Sequence, residues 1–158
     1  MIDIRPLDET FKPWAHELID REWGPQGIVT RGKLHDTEKL SGFVAIENNE
    51  PIGLITYIYE GNECEIVSLN SLKEKSGVGS ALVEAVAKAA KTRVCRRVWV
   101  ITTNDNISAL HFYQRRGFHL LAVYPNALEA TRKIKPTIPF IGIDGIPLRD
   151  EIELEMLL

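Results

Sequence analysis

Between residues 42 and 72 the chain reads GFVAIENNEPIGLITYIYEGNECEIVSLNSL. β-Branched and aromatic residues dominate this stretch, and two polar clusters, ENNEP and EGNE, break it with turn chemistry. Three strands in an antiparallel meander follow, because connections this short join neighbouring strands only antiparallel. A sheet of that kind needs layers on its faces, and the flanking segments supply them.

Before the meander, MIDIRPL alternates apolar and polar residues and predicts a short first strand. Phe11, Trp14, Ala15, Leu18 and Ile19 then recur at helical spacing, with Thr10 as the expected cap, Pro13 near the first turn and Gly24-Pro25 ending the run. From Gly24 to Ser41 the chain is polar and weakly patterned, which predicts a loop with one helical turn near Asp36 to Leu40. After the meander come a helix opened by SGVGSALVEAV, a strand at RRVWVITT, a helix from Asn106 closed by Gly117-Phe118, and a strand at HLLAVY. A Pro- and Gly-rich connector from Asn126 to Arg149, whose start NALEATRKIK suits a short helix, leads to a last strand at EIELEML. The order β, α, loop, β, β, β, α, β, α, β, β predicts a mixed α+β fold, a mostly antiparallel central sheet with helices on its faces, in a single domain over 1–158.

With 158 residues, 44% of them hydrophobic and 26% charged, the chain has the composition of one soluble domain with its own core. Cys64 and Cys95 form no CxxC pair and no metal-ligand spacing, which suits a reducing cytoplasm and a site without metal. MIDIRPLDE has acids where a signal peptide needs a basic start, and no apolar run reaches membrane-spanning length. The net charge of −3 is uneven: residues 73–116 hold nine basic and three acidic residues, net +6, which leaves −9 on the remainder. A basic segment in an acidic protein suits a polyanionic ligand or solvated helix faces, and the acidic whole argues against nucleic acid.

Inside the basic segment, Gly77 and Gly79 stand between a strand and a helix. Glycines there open backbone N–H groups to an anion at the positive end of a helix dipole. No Gly-Lys-Ser/Thr follows, so this is no P-loop, and Leu82 replaces the third glycine of a dinucleotide fingerprint. On its own Gly-x-Gly is also the signature of an ordinary structural turn.

A second pattern narrows the reading. In NISALHFYQRRGF, Asn106, Ala109, Tyr113, Gly117 and Phe118 fit Asn-x-x-Ala-x-x-x-Tyr-x-x-x-Gly-Phe. With SGVGSAL and the strand CEIVSL before it, this resembles the GNAT superfamily of acetyl-CoA-dependent N-acetyltransferases. The resemblance covers the element order along the whole chain and implies a central sheet of about seven strands. One position departs from the family: Glu74 stands where a glutamine or arginine is usual, so side-chain help for the phosphates would come from Lys73 or Lys75.

What the resemblance implies is acetyl-CoA as co-substrate, with its pyrophosphate on the amides of Gly77, Val78, Gly79 and Ser80. Its pantetheine arm would thread between the strand ending near Ser71 and the strand ending near Thr103, and the Leu69 N–H would face the thioester carbonyl, where it stabilises the developing oxyanion. Leu69 would equally serve as an ordinary strand leucine unless a bulge or splay frees its amide. An alkylammonium of pKa ~10.4 is only about one part in a few thousand neutral at pH 7, so a base is useful. Glu65 matches the family's carboxylate, and it also suits a surface position beside Glu63. Tyr113 stands at the general acid's place, where the alternative is a packing tyrosine, and Asn106 serves as helix cap and as partner to the coenzyme arm. His111 and His119 lack an acidic partner in sequence, and Cys64 reads as a buried, inert thiol. The expected activity is acetyl transfer to a primary amine of a small molecule or peptide in a ternary complex, with the acceptor held by the first helix, the 24–41 loop and the connector. A non-catalytic acyl-CoA sensor on the same fold is the competing class, and a homodimer is left open.

Overall fold

The computed structural model describes residues 1–73 and 76–158. In chain order its first elements are β1 (Asp3–Pro6), α1 (Lys12–Trp23), β2 (Ile28–Thr30), β3 (Lys33–His35), β4 (Ser41–Glu47), β5 (Glu50–Glu60) and β6 (Glu63–Ser71). They are followed by α2 (Val78–Thr92), β7 (Arg97–Thr103), α3 (Ile107–Arg115), β8 (His119–Tyr124), α4 (Ala127–Ile134) and β9 (Glu151–Leu157). The chain divides into two compact units, one of Met1–Gly27, Asp36–Val98 and Leu157–Leu158, the other of Ile28–His35 and Trp99–Met156.

The large sheet has seven strands and is mostly antiparallel, as the sequence predicts. In the first unit its order is β1-β4-β5-β6, each neighbouring pair antiparallel. The β4–β5 turn is made by Asn48 and Asn49 at φ 52° and 65°. Both are left-handed, the geometry that lets a two-residue turn follow the twist of its strands, and asparagine tolerates it. Val78, Leu82, Val83, Val86 and Ala90 form the buried stripe of α2, which packs on β1, β4, β5 and β6. Burying each of the larger of these side chains stabilises the unit by roughly 1.5–3 kcal/mol. That stripe fixes where the helix begins.

In the second unit β9 lies between β7 and β8, with β8 antiparallel to it. The 24–41 segment departs from expectation. Ile28–Thr30 and Lys33–His35 pair as a hairpin turned by Arg31 and Gly32 at φ 50° and 73°, and the helical turn is a 3₁₀ turn at Thr37–Lys39 capped by Asp36. Two strands of three residues are too short to display a period, so the segment reads as a loop. The cap of α1 also differs: it is Phe11 rather than Thr10, without a side-chain hydrogen bond. The connector opens with α4 as expected and then runs through a second 3₁₀ turn at Ile143–Gly145.

Candidate active site

In the first unit, β6 reaches α2 through residues 72–77. Gly77 is the N-cap of α2 at φ 82°, ψ 3°, left-handed, and its Cβ direction is open space. Helix α2 therefore starts on a glycine with no side-chain cap and no acid in its first turn. The first backbone bond back into the helix is Ala81 N–H to Gly77 C=O at 3.0 Å. This leaves the amides from Gly77 to Gly79 outside the helical ladder, at the positive end of a 15-residue helix. The Val78 side chain is buried in the core, so at that position only backbone is available to a ligand. Gly79 and Ser80 follow in the first turn, half-buried. The expectation for Lys75 lies outside the described residues.

Along β6, Tyr57 faces Ile66 and Thr56 faces Ser68, which leaves Val67 as the extra residue of a bulge. Beyond the bulge, Leu72 N–H donates to Ile52 C=O at 2.8 Å. Alternation then makes Leu54/Asn70 the next hydrogen-bonded pair and Ile55/Leu69 a pair that exchanges no backbone bonds. The Leu69 N–H accordingly points away from β5, as an oxyanion donor requires. Asn70, the next residue, has a buried carboxamide oxygen with no hydrogen-bond partner among the described residues. Sequence reading missed it, because nothing in the residue type distinguishes it from a turn asparagine.

Glu65 is not on the surface: it is 3% exposed, opposite Ile58 on β6. Beside it Cys64 is fully buried, and burial pushes its thiol up to about 12, which keeps it protonated and inert as expected. The Ser71 hydroxyl donates to the Lys73 carbonyl at 2.9 Å and so braces the loop.

In the second unit Asn106 caps α3 as the sequence predicts, its side-chain oxygen accepting from Ala109 N–H at 3.1 Å. The helix closes with Phe118 N–H to Tyr113 C=O at 3.1 Å and Gly117 N–H to Gln114 C=O at 3.2 Å, with Gly117 at φ 91°. These two bonds are the Schellman pair, and the hydrophobic contact that accompanies it is Phe118 on Tyr113, ring centroids 5.2 Å apart. Phe112 meets the same ring edge-on at 5.1 Å. Tyr113 is thus both a packing residue, 6% exposed, and a phenol held in one orientation. Burial pushes its pKa up, so it stays a proton donor at any physiological pH.

Of the segments expected around the acceptor, the connector and residues 28–35 of the 24–41 loop fall in this unit, and α1 with the rest of that loop falls in the other. Arg31 at the hairpin tip lies 3.3 Å over the Tyr124 ring and 3.2 Å from the Glu151 carboxylate. Tyr124 in turn donates its hydroxyl to Glu153 at 2.7 Å. These residues were not legible as a group, because Arg31 and Glu151 lie 120 positions apart and Tyr124 and Glu153 lie 29 apart. Among the described residues no cluster of three metal-ligand side chains occurs, and no helix is long and apolar enough to cross a membrane.

Comparison with known proteins bears on both units. Residues 3–118 match the acetyltransferase (GNAT) family. The uncharacterised protein YdhI of Bacillus subtilis (strain 168) is 42% identical over 153 residues, 96% of each chain. Two solved structures share the fold: an IAA acetyltransferase from Bacillus cereus (TM-score 0.76, 21% identity, 100% of both chains), and a GNAT family acetyltransferase from Elizabethkingia anophelis with acetyl-CoA bound (TM-score 0.75, 24% identity, 99% of this chain and 98% of that one). The chain belongs to the acetyltransferase (GNAT) family and is an N-acetyltransferase.

Proposed function

We propose that the chain transfers an acetyl group from acetyl-CoA to a primary amine of a small molecule or peptide, directly and without an acetyl-enzyme. The observation that carries this reading is the start of α2: a left-handed glycine cap, no capping side chain and no acid in the first turn. An anion is the ligand such a terminus takes, and a carboxylate there would repel it. Acetyl-CoA supplies the activated acyl group as a thioester and the phosphates that match this terminus.

The roles are assigned within each unit taken by itself. In the first, the amides of Gly77, Val78, Gly79 and Ser80 hold the pyrophosphate, and the Leu69 N–H, turned away from β5, stabilises negative charge developing on the thioester oxygen. Glu65 takes the proton of the incoming ammonium, directly or through water, offsetting a penalty of roughly 4–5 kcal/mol for presenting neutral amine at pH 7. In the second, Asn106 meets the coenzyme arm and the Tyr113 hydroxyl protonates the departing thiolate. A donor held neutral by burial suits that last task.

The test is release of free thiol from acetyl-CoA across a panel of amines, polyamines, amino acids, aminoglycosides and peptides, with the acetylated acceptor identified by mass. Tyr113→Phe should lower kcat about a hundredfold with little change in coenzyme affinity, and Glu65→Gln should depress turnover most at the lower pH values. Full kcat in Tyr113→Phe would return that residue to packing alone. Coenzyme binding with no acetylated acceptor anywhere in the panel would contradict the proposal.

A further inference from the structure

The described residues on either side of positions 74 and 75 share one partner. The backbone carbonyl of Lys73 accepts the Ser71 hydroxyl at 2.9 Å and the Ser76 hydroxyl at 2.6 Å. Both ends of the loop are therefore tied to the same atom. The Lys73 side chain leaves the loop altogether: its ammonium lies 2.6 Å from the Glu47 carboxylate.

Glu47 is a fixed post. It ends β4 at the base of the Asn48-Asn49 turn, paired with Glu50 across the hairpin. Its side chain is 20% exposed, against 54% for Lys73. The ammonium holds the Glu47 carboxyl below its usual range, chiefly by direct hydrogen bonding, so the carboxylate is ionised at neutral pH.

We propose that Lys73 is a positioning residue that clamps the phosphate loop to the β4–β5 hairpin through Glu47, and that its charge is not spent on the coenzyme. This rests on the reading of α2 as the coenzyme's phosphate site. Two roles are open to a lysine four residues before the glycine cap, and they predict opposite signs. A lysine that contacts phosphate is hindered by a competing carboxylate, so removing Glu47 would strengthen coenzyme binding. A lysine that clamps the loop needs that carboxylate, so removing Glu47 weakens binding as much as removing Lys73. Geometry favours the clamp, because three bonds from one residue, two through its carbonyl and one through its ammonium, hold the loop before any ligand arrives. A loop so held loses less freedom when it closes on phosphate.

Calorimetric titration of coenzyme A into the full chain tests the clamp through Glu47→Gln, Lys73→Gln and the double variant, each checked for folding by circular dichroism. Both single variants should weaken binding by about threefold to tenfold, the range an ordered surface pair supports. The double variant should be no worse than either single. Lys73→Arg should restore most of the affinity, and the dependence of affinity on salt should be unchanged by Lys73→Gln, since no phosphate contact is lost. Ser76→Ala, which leaves both charges in place, should weaken binding in the same direction. Tighter binding in Glu47→Gln, a flatter salt dependence in Lys73→Gln, or unaltered affinity in both would overturn the clamp. Absence of coenzyme A binding by the unmodified chain is a separate result, and it would remove the phosphate-site reading itself.

Discussion

Two loops of this acetyltransferase, the one entering α2 and the one entering β9, are each built round a glycine, and they use it in opposite ways. Gly77 at the head of α2 sits at φ 82° with nothing near its Cβ direction, so the backbone there is bare on the outside. At Gly142 in the connector the problem is space: a Cβ would come within 2.1 Å of the Asp105 carboxylate, which accepts from the Ile143 N–H at 2.9 Å. Several of the connector's backbone groups are already bonded within the protein. Asn104 accepts from the N–H groups of Arg149 and Asp150 and donates to the Pro147 carbonyl, while Arg132 donates to the carbonyls of Ile138, Pro139 and Leu148. The difference separates a loop that offers its backbone to a ligand from one that has already spent it on the protein.

The comparison breaks most visibly at Gly142. Alanine there must displace Asp105, and chemical denaturation should show a loss of roughly 3 kcal/mol or more. A smaller loss, under about 1 kcal/mol, would mean the connector yields and is not a scaffold. Asn104→Ala comes next. It removes the partner of one part-buried N–H, one exposed N–H and an exposed carbonyl, for an expected loss of about 1.5 kcal/mol by the same measurement, with coenzyme affinity unaffected. Gly77→Ala should have the smallest effect on stability, about 1 kcal/mol for one left-handed alanine in open space. Its effect should show instead in coenzyme binding, as the cap geometry shifts. If Gly77→Ala destabilised the fold more than Gly142→Ala, the roles assigned to the two glycines would be exchanged.

The same contrast explains what could be read from the sequence. The start of α2 and the whole of α3 were legible because their signals are local: Gly77 and Gly79 before an amphipathic run, Asn106 at a cap, Gly117-Phe118 at a closure. Backbone geometry demands those residue types at those spacings. Tyr113 was singled out by the resemblance of residues 106–118 to the family's pattern, since the carbonyl it lends to the closing motif requires no particular side chain. The hairpin at 28–35 was read as loop because each strand has three residues, although Arg31-Gly32 is a turn pair by composition. Asn104 and Asp105 went unread beside Asn106, because their partners lie 38 to 46 residues further on. For Glu65 the sequence left a surface position beside Glu63 open next to the role of base, and the structure buries it. Burial of a charged residue is a tertiary fact that no short window of sequence contains.

The central claim is that the open backbone at the head of α2 holds the coenzyme's phosphates. Calorimetric titration of acetyl-CoA into the unmodified chain and into Gly79→Asp, both folded by circular dichroism, tests it most directly. A carboxylate in the first turn would face the phosphates, and the account predicts that affinity falls by about a hundredfold or more while the folded state is retained. Equal affinity in a folded Gly79→Asp variant would contradict it.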